Sequence, residues 1–229
     1  MIAGKTAGKN KNMTGIVDYN AGNIPSVARA LDALGCEYVV SKSPKELQSA
    51  QRLIFPGVGD ARYAMEQLKN SGFDVFLKEQ SMMQGVPVLG ICLGSQIIFG
   101  FSEEGSTTCL GLLDGEIQHF STVNPNFDLK VPHMGWNDIY YSESEKRNPC
   151  GLFEGIAEGT SFYFVHSYVI QPKDKNVPVA FADYGIQVPA AVRSENIYAV
   201  QFHPEKSGEP GLRLLHNFTK MSQGGGNRC

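Results

Sequence analysis

The chain has 229 residues, with 20 Lys and Arg against 23 Asp and Glu and a net charge of −3 at pH 7. It therefore lacks the basic excess of a nucleic-acid binder, and its 42% hydrophobic and 19% charged residues are those of a globular protein. Five cysteines (Cys36, Cys92, Cys109, Cys150 and Cys229) are scattered with no C-x-x-C pair, which argues against a disulfide framework or a zinc ribbon and for a reducing cytoplasm.

No apolar run approaches membrane-spanning length. Met1–Asn12 holds lysines but no apolar signal core and no Arg, and reads as part of a disordered leader over residues 1–13. One domain is expected over 14–221, followed by a flexible tail over 222–229. Thr14–Tyr19 reads as a strand, Ile24–Leu34 as a helix stopped at Gly35, and Cys36–Val40 as a second strand. A short helix opens at Ser43-Pro44, and the strand Arg52–Phe55 follows. Asp60–Asn70 carries the apolar stripe of an amphipathic helix, Phe73–Met83 is helical, and Val86–Ile91 is an all-apolar strand. The helix-capable Ser95–Phe101 comes next. Such alternation predicts an α/β fold, with a mainly parallel central sheet and helices on both faces. The second half offers strands at Glu116–Phe120, Asp138–Tyr141, Phe162–Ile170, Val179–Asp183, Ala190–Arg193 and Ile197–Phe202, expected as antiparallel additions to the sheet or as a small β-rich flap. A helix over Pro210–Met221 closes the chain.

Chemistry concentrates in three stretches. In Val88-Leu-Gly-Ile-Cys-Leu-Gly-Ser-Gln96 a buried strand runs into G-x-C-x-G, the thiol form of a nucleophile elbow. Gly90 and Gly94 let backbone pass close to the turn, and a helix N-terminus beneath Cys92 favours thiolate. The competing reading makes Cys92 a small core residue. In Val200-Gln-Phe-His-Pro-Glu-Lys-Ser207, His203 and Glu205 stand two apart on extended backbone and share a side, as a base and its orienting acceptor would. An ordinary surface turn is the alternative there. No further His, Cys or Asp cluster suggests a metal. Phe55-Pro-Gly-Val-Gly-Asp60 ends a strand with two glycines free to aim amides into a cleft. With Leu93 N–H, a donor at Gly57–Val58 would form an oxyanion hole. The absence of G-K-[ST] disfavours a phosphate loop.

Together these stretches resemble the class I (triad) glutamine amidotransferases, and within them the glutaminase subunits of imidazole glycerol phosphate synthases. Asp18-Tyr-Asn-Ala-Gly-Asn-Ile24, Val131-Pro-His-Met-Gly-Trp-Asn137, Tyr163-Phe-Val-His-Ser-Tyr168 and Leu214-Leu-His-Asn-Phe218 extend the resemblance over roughly Thr14 to Lys220. Ser95 departs from it, Met being usual there. The resemblance implies a Cys92–His203–Glu205 triad that splits glutamine through a thioester, with no cofactor. It implies a (β/α)8-barrel cyclase as heterodimer partner, which receives the ammonia in histidine biosynthesis. It implies glutamine binding by Gly59, Gln96, Glu104, His166, Ser167 and Tyr168, and a partner surface at Asn23, Trp136, Asn137 and Lys206. Trp136 is expected in a loop. One rival feeds the same ammonia to another acceptor, such as a sugar-modifying amidotransferase. Others are a non-catalytic scaffold, for which a thiol at an elbow has no use, and a peptidase-like enzyme.

Overall fold

In the computed structural model, which describes residues 13–222, the first half folds as strand–helix repeats. The leader reading for residues 1–12 and the tail reading for 223–229 lie outside the described residues. Strands β1 (Thr14–Val17), β2 (Tyr38–Ser41), β3 (Arg52–Gly57) and β4 (Val88–Cys92) alternate with helices α1 (Ile24–Ala33), α2 (Pro44–Leu47), α3 (Ala61–Ser71) and α4 (Phe73–Lys78). Asp60 caps α3 by accepting from Tyr63 N, and Gly72 ends it in the left-handed conformation. A π-turn at Glu79–Met83 continues α4, so the expected single helix over Phe73–Met83 changes pitch midway.

Helix α5 (Leu93–Ile97) starts directly after β4. There follow the two-residue strands β5 (Phe101–Ser102) and β6 (Thr107–Thr108), then β7 (Gly115–His119), α6 (Phe120–Val123), β8 (His133–Tyr141) and α7 (Glu143–Arg147). Strands β9 (Thr160–His166), β10 (Tyr168–Pro172), β11 (Pro178–Asp183), β12 (Gln187–Ser194) and β13 (Ile197–Val200) precede the final helix α8 (Gly208–Lys220).

The main sheet has the order β2-β1-β3-β4-β13-β12-β11-β8-β9. Its first five strands are parallel and the remaining four are added antiparallel, so the Ile197–Phe202 strand, expected as an antiparallel addition, instead joins the parallel part as β13 beside β4. Alternate residues of each parallel strand enter two cores, as period-two side chains must. Val17, Leu53, Phe55 and Val88 pack with α3, α4 and α5, whereas Ile16, Ile54, Leu89 and Ile91 pack with α1 and α8. Helices thus cover both faces, as expected.

Three boundaries correct the sequence reading. Ser95–Phe101 is not one helix, because α5 ends at Ile97. Strand β8 begins at His133, five residues ahead of the expected Asp138, and places Trp136 in a strand, not a loop. Phe162–Ile170 is two strands in two sheets: β9 pairs with β8, while β10 pairs with β7 in a smaller sheet of order β10-β7-β5-β6. Burial tracks the break, because Phe162, Phe164 and His166 alternate inward and the next buried residue is Val169.

Candidate active site

Strand β4 lies between β3 and β13, with Cys92 in register with Gly57. Cys92 itself takes φ 53° and ψ −113°, a left-handed conformation that costs a non-glycine residue on the order of 1–3 kcal/mol. Close packing holds it there. A Cβ on Gly94 would stand 2.0 Å from the Phe55 carbonyl oxygen, and one on Gly90 would stand 2.9 Å from the Gly94 carbonyl oxygen. Ser95, the departure from the family pattern, is fully buried and donates from Oγ to the Cys92 carbonyl at 2.6 Å. Its hydroxyl is satisfied within the turn, so the change leaves the elbow intact.

His203 follows β13, its amide held by the Tyr163 carbonyl at 2.9 Å. Its Nδ1 lies 2.8 Å from Glu205 Oε1, with both side chains almost wholly buried. The expected pair forms, but not along extended backbone, because Pro204–Lys206 is a 3₁₀ turn. Ser207, which the sequence reading passed over, ties this turn down. Its Oγ donates to the His203 carbonyl at 2.6 Å and accepts from Tyr163 N at 3.0 Å. Burial alone disfavours a charged ring at His203, yet Cys92 and Glu205 outweigh it and raise the pKa to about 10. His203 Nε2 makes no hydrogen bond in this structure.

Cys92 and His203 open into a cavity of about 320 Å³. Val58, Gly59, Leu93, Gln96, Glu104, His166, Ser167, Tyr168 and Lys206 also line it, together with Pro132 and Val165, which the sequence did not single out. A larger hollow of about 660 Å³ lies elsewhere, between α7 and α8. Its Cys150 is a poor nucleophile, since burial pushes that thiol up to about 12.

Several expected roles meet constraints. Glu104 Oε2 accepts from Ala61 N at 2.8 Å; burial raises its pKa while that hydrogen bond opposes the rise. His166 has both ring nitrogens engaged, with Tyr168 O at 2.8 Å and His133 Nδ1 at 2.9 Å. Val58 N–H donates to Ala21 O at 2.7 Å. It is therefore turned away from the cavity, and the Gly57 carbonyl points the opposite way across their trans peptide. The expected oxyanion donor at Val58 is not presented in this conformation. Leu93 N begins α5, where an amide has no intrahelical partner.

Of the expected partner residues, Asn23, Trp136 and Asn137 lie outside the cavity lining. Trp136 is 60% exposed and stacks edge-on with Tyr163, its register partner on β9; Lys206 Nζ stands over the same Tyr163 ring. Asn137 faces the other side of β8 and donates to the Asp183 carbonyl at 2.8 Å. Asn23 stands at the N-cap position of α1, without a side-chain capping bond, two residues after Ala21, whose carbonyl holds Val58.

The family model for class I glutamine amidotransferases matches residues 15–221. The imidazole glycerol phosphate synthase subunit HisH of Geobacillus sp. strain WCH70 is 44% identical over 217 residues, covering 94% of this chain and all of that protein. The subunit of the same name from Nitratidesulfovibrio vulgaris is 46% identical over 209 residues, covering 90% of this chain and 95% of the relative. Among solved structures, a glutamine amidotransferase superposes with a TM-score of 0.66 at 20% identity, over 90% of this chain and 98% of the other. PurLQS from Thermotoga maritima gives 0.67 at 18% identity over 91% and 98%. The chain belongs to the class I glutamine amidotransferase family.

Proposed function

We propose that this chain is the glutaminase subunit of an imidazole glycerol phosphate synthase, working in the cytoplasm in histidine biosynthesis. The observation that carries the chemistry is the buried His203–Glu205 pair beside Cys92, whose strained backbone presents it to the cavity. Relatives 44–46% identical over nearly their whole length support the pathway.

The Cys92 thiolate attacks the side-chain amide carbon of glutamine, and the carbonyl becomes an oxyanion. Collapse expels nitrogen, which takes the His203 proton and leaves as ammonia. The neutral imidazole then draws a proton from water, which attacks the thioester and releases glutamate. Gln96, Glu104 and the His166–Tyr168 segment hold the α-groups of the substrate. Ammonia passes to a (β/α)8-barrel cyclase bound over Asn23, Trp136 and Lys206; Asn137, expected in the same surface, turns instead to the other face of β8.

The hydrogen bond between Val58 N and Ala21 O supports a silent resting state. Losing one oxyanion donor costs on the order of 10²–10³ in rate, and with glycine on either side of Val58 the Gly57–Val58 peptide can rotate at little steric cost. A partner that binds the rotated form more tightly would switch the subunit on. The test measures glutamate release by the chain alone, with the cyclase, and with cyclase plus its acceptor substrate. Stimulation only in the complex is expected. Full activity in the isolated chain rejects the switch. Stimulation by a different acceptor enzyme, such as a sugar-modifying one, moves the glutaminase to another pathway.

A further inference from the structure

Gln201 follows β13 directly and is fully buried. A side-chain amide is oriented by which neighbours accept and which donate. Here a backbone group decides. The Tyr168 carbonyl can only accept, and it takes Gln96 Nε2 at 3.1 Å. That same nitrogen donates to Gln201 Oε1 at 2.8 Å. The amino group of Gln201 is left facing Cys92, with Nε2 4.0 Å from Sγ.

A second arm holds the same carbonyl. His166 gives its Nδ1–H to Tyr168 O, so its Nε2 accepts from His133 Nδ1–H. His133 Nε2 in turn accepts from Asn137 Nδ2 at 3.2 Å. Asn137 is itself fixed by two backbone groups, donating to Asp183 O at 2.8 Å and accepting from Asp138 N at 2.8 Å. Cross-strand register sets up the middle of this chain, because β8 and β9 place His133 directly opposite His166. Burial keeps both rings neutral, lowering His133 to about 4 and His166 to about 3. The direction of every link is thus fixed: His166 and Gln96 both donate to the Tyr168 carbonyl, and from Gln96 the donation continues through Gln201 to the sulfur.

We propose that Gln201 donates a hydrogen bond to the Cys92 thiolate, and that His133 is a positioning residue holding that donor in line through His166. The inference deepens the glutaminase reading and rests on Cys92 being its nucleophile. A donor aimed at sulfur favours the charged form over the neutral one, and does so more strongly where water is excluded. Gln201 therefore acts in the free enzyme, before glutamine or any partner arrives.

The test is alkylation of the full chain by iodoacetamide, followed by mass spectrometry of the peptide containing Cys92, at pH 7 and pH 10. Gln201→Met keeps the length and removes the donor. Its rate at pH 7 should fall about three- to tenfold, the effect of moving ionisation by about half to one pH unit. The deficit should close at pH 10. Gln201→Glu, of the same shape, places a carboxylate against the sulfur and should fall further at pH 7. His133→Ala should move the pH 7 rate in the same direction by less, and His133→Gln, which can still donate to His166, should recover part of it. A merely structural role would slow both pH values alike. Gln201→Met or Gln201→Glu, folded by circular dichroism, with a wild-type rate at pH 7 or an equal loss at both pH values overturns the proposal. If wild-type Cys92 reacts no faster than the half-buried Cys36, the nucleophile reading falls with it, a result distinct from an indifferent Gln201.

Discussion

Cys92 combines a reactive group with a backbone that only glycine adopts freely. Both Cys92→Ala and Cys92→Gly remove the thiol and should abolish glutamate release. Thermal denaturation should nevertheless rank them in the reverse of the usual order. Gly relieves the φ of 53°, so Cys92→Gly is expected to be at least as stable as Cys92→Ala. An alanine variant clearly more stable than the glycine one would show that the turn is unstrained. His203 sets the alkaline limit. Its proton is needed by the departing nitrogen, and with a pKa of about 10 the rate should hold well past the ordinary histidine range and decline near pH 10. Glu205→Gln removes one of the two groups that raise that value, so it should lower the rate and move the decline to lower pH. A pH–rate profile with the same alkaline limb in both proteins contradicts this pairing.

Elements matter here through where their edges meet. The elbow works only because β4 turns into α5 against β3, and Gly94 is the tightest point of that contact. Gly94→Ala should destabilise the protein by about 1–3 kcal/mol by overpacking and lose glutaminase activity, read from denaturant titration and glutamate release. Strand β8 sends its two faces to different tasks. His133 and Asn137 point into the polar chain behind the cavity, while Met134 and Trp136 are 61% and 60% exposed. Large apolar side chains left in solvent, here with Lys206 over the Tyr163 ring beside Trp136, have the character of an interface core. Trp136→Ala should therefore weaken binding of the proposed cyclase partner by at least about tenfold while leaving Tm within a degree or two, measured by calorimetric titration and thermal melting. An unchanged affinity would remove Trp136 from the interface.

For the molecule as a whole, two buried neutral histidines link stability to pH. Unfolded, His133 and His166 titrate near 6.5; folded, burial holds them neutral down to about 4 and about 3. Between those values the unfolded chain binds more protons, so stability rises with pH. Their contribution is fully present above about pH 6.5 and is lost as pH falls towards about 4 for His133 and about 3 for His166. Tm should drop from pH 6.5 to pH 5, where most carboxylates are still ionised, and His133→Gln should flatten that slope. Equal slopes in the two proteins would contradict the neutral pair.

Sequence alone determined the α/β alternation, the elbow and the closeness of His203 to Glu205, because each rests on local rules; the residues that gather round the cavity were implied only by the family resemblance. Period-two and period-3.6 apolar spacing, glycines beside a cysteine, and short-range side-chain reach need no distant partner. The paired strands β5 and β6, at two residues each, carry no period to read. The division of Phe162–Ile170 at Ser167 was equally hidden, since both halves are apolar and only the pairing of β9 with β8 and β10 with β7 separates them. Tertiary structure also decided that Val58 N–H turns to Ala21, a hydrogen bond spanning two loops. It brought Gln201 to the sulfur and His133 to His166, residues whose types are ordinary and whose meaning comes from their neighbours. A hydrogen bond between residues far apart in the chain has no signature in either residue's own surroundings, so only the folded register could supply it.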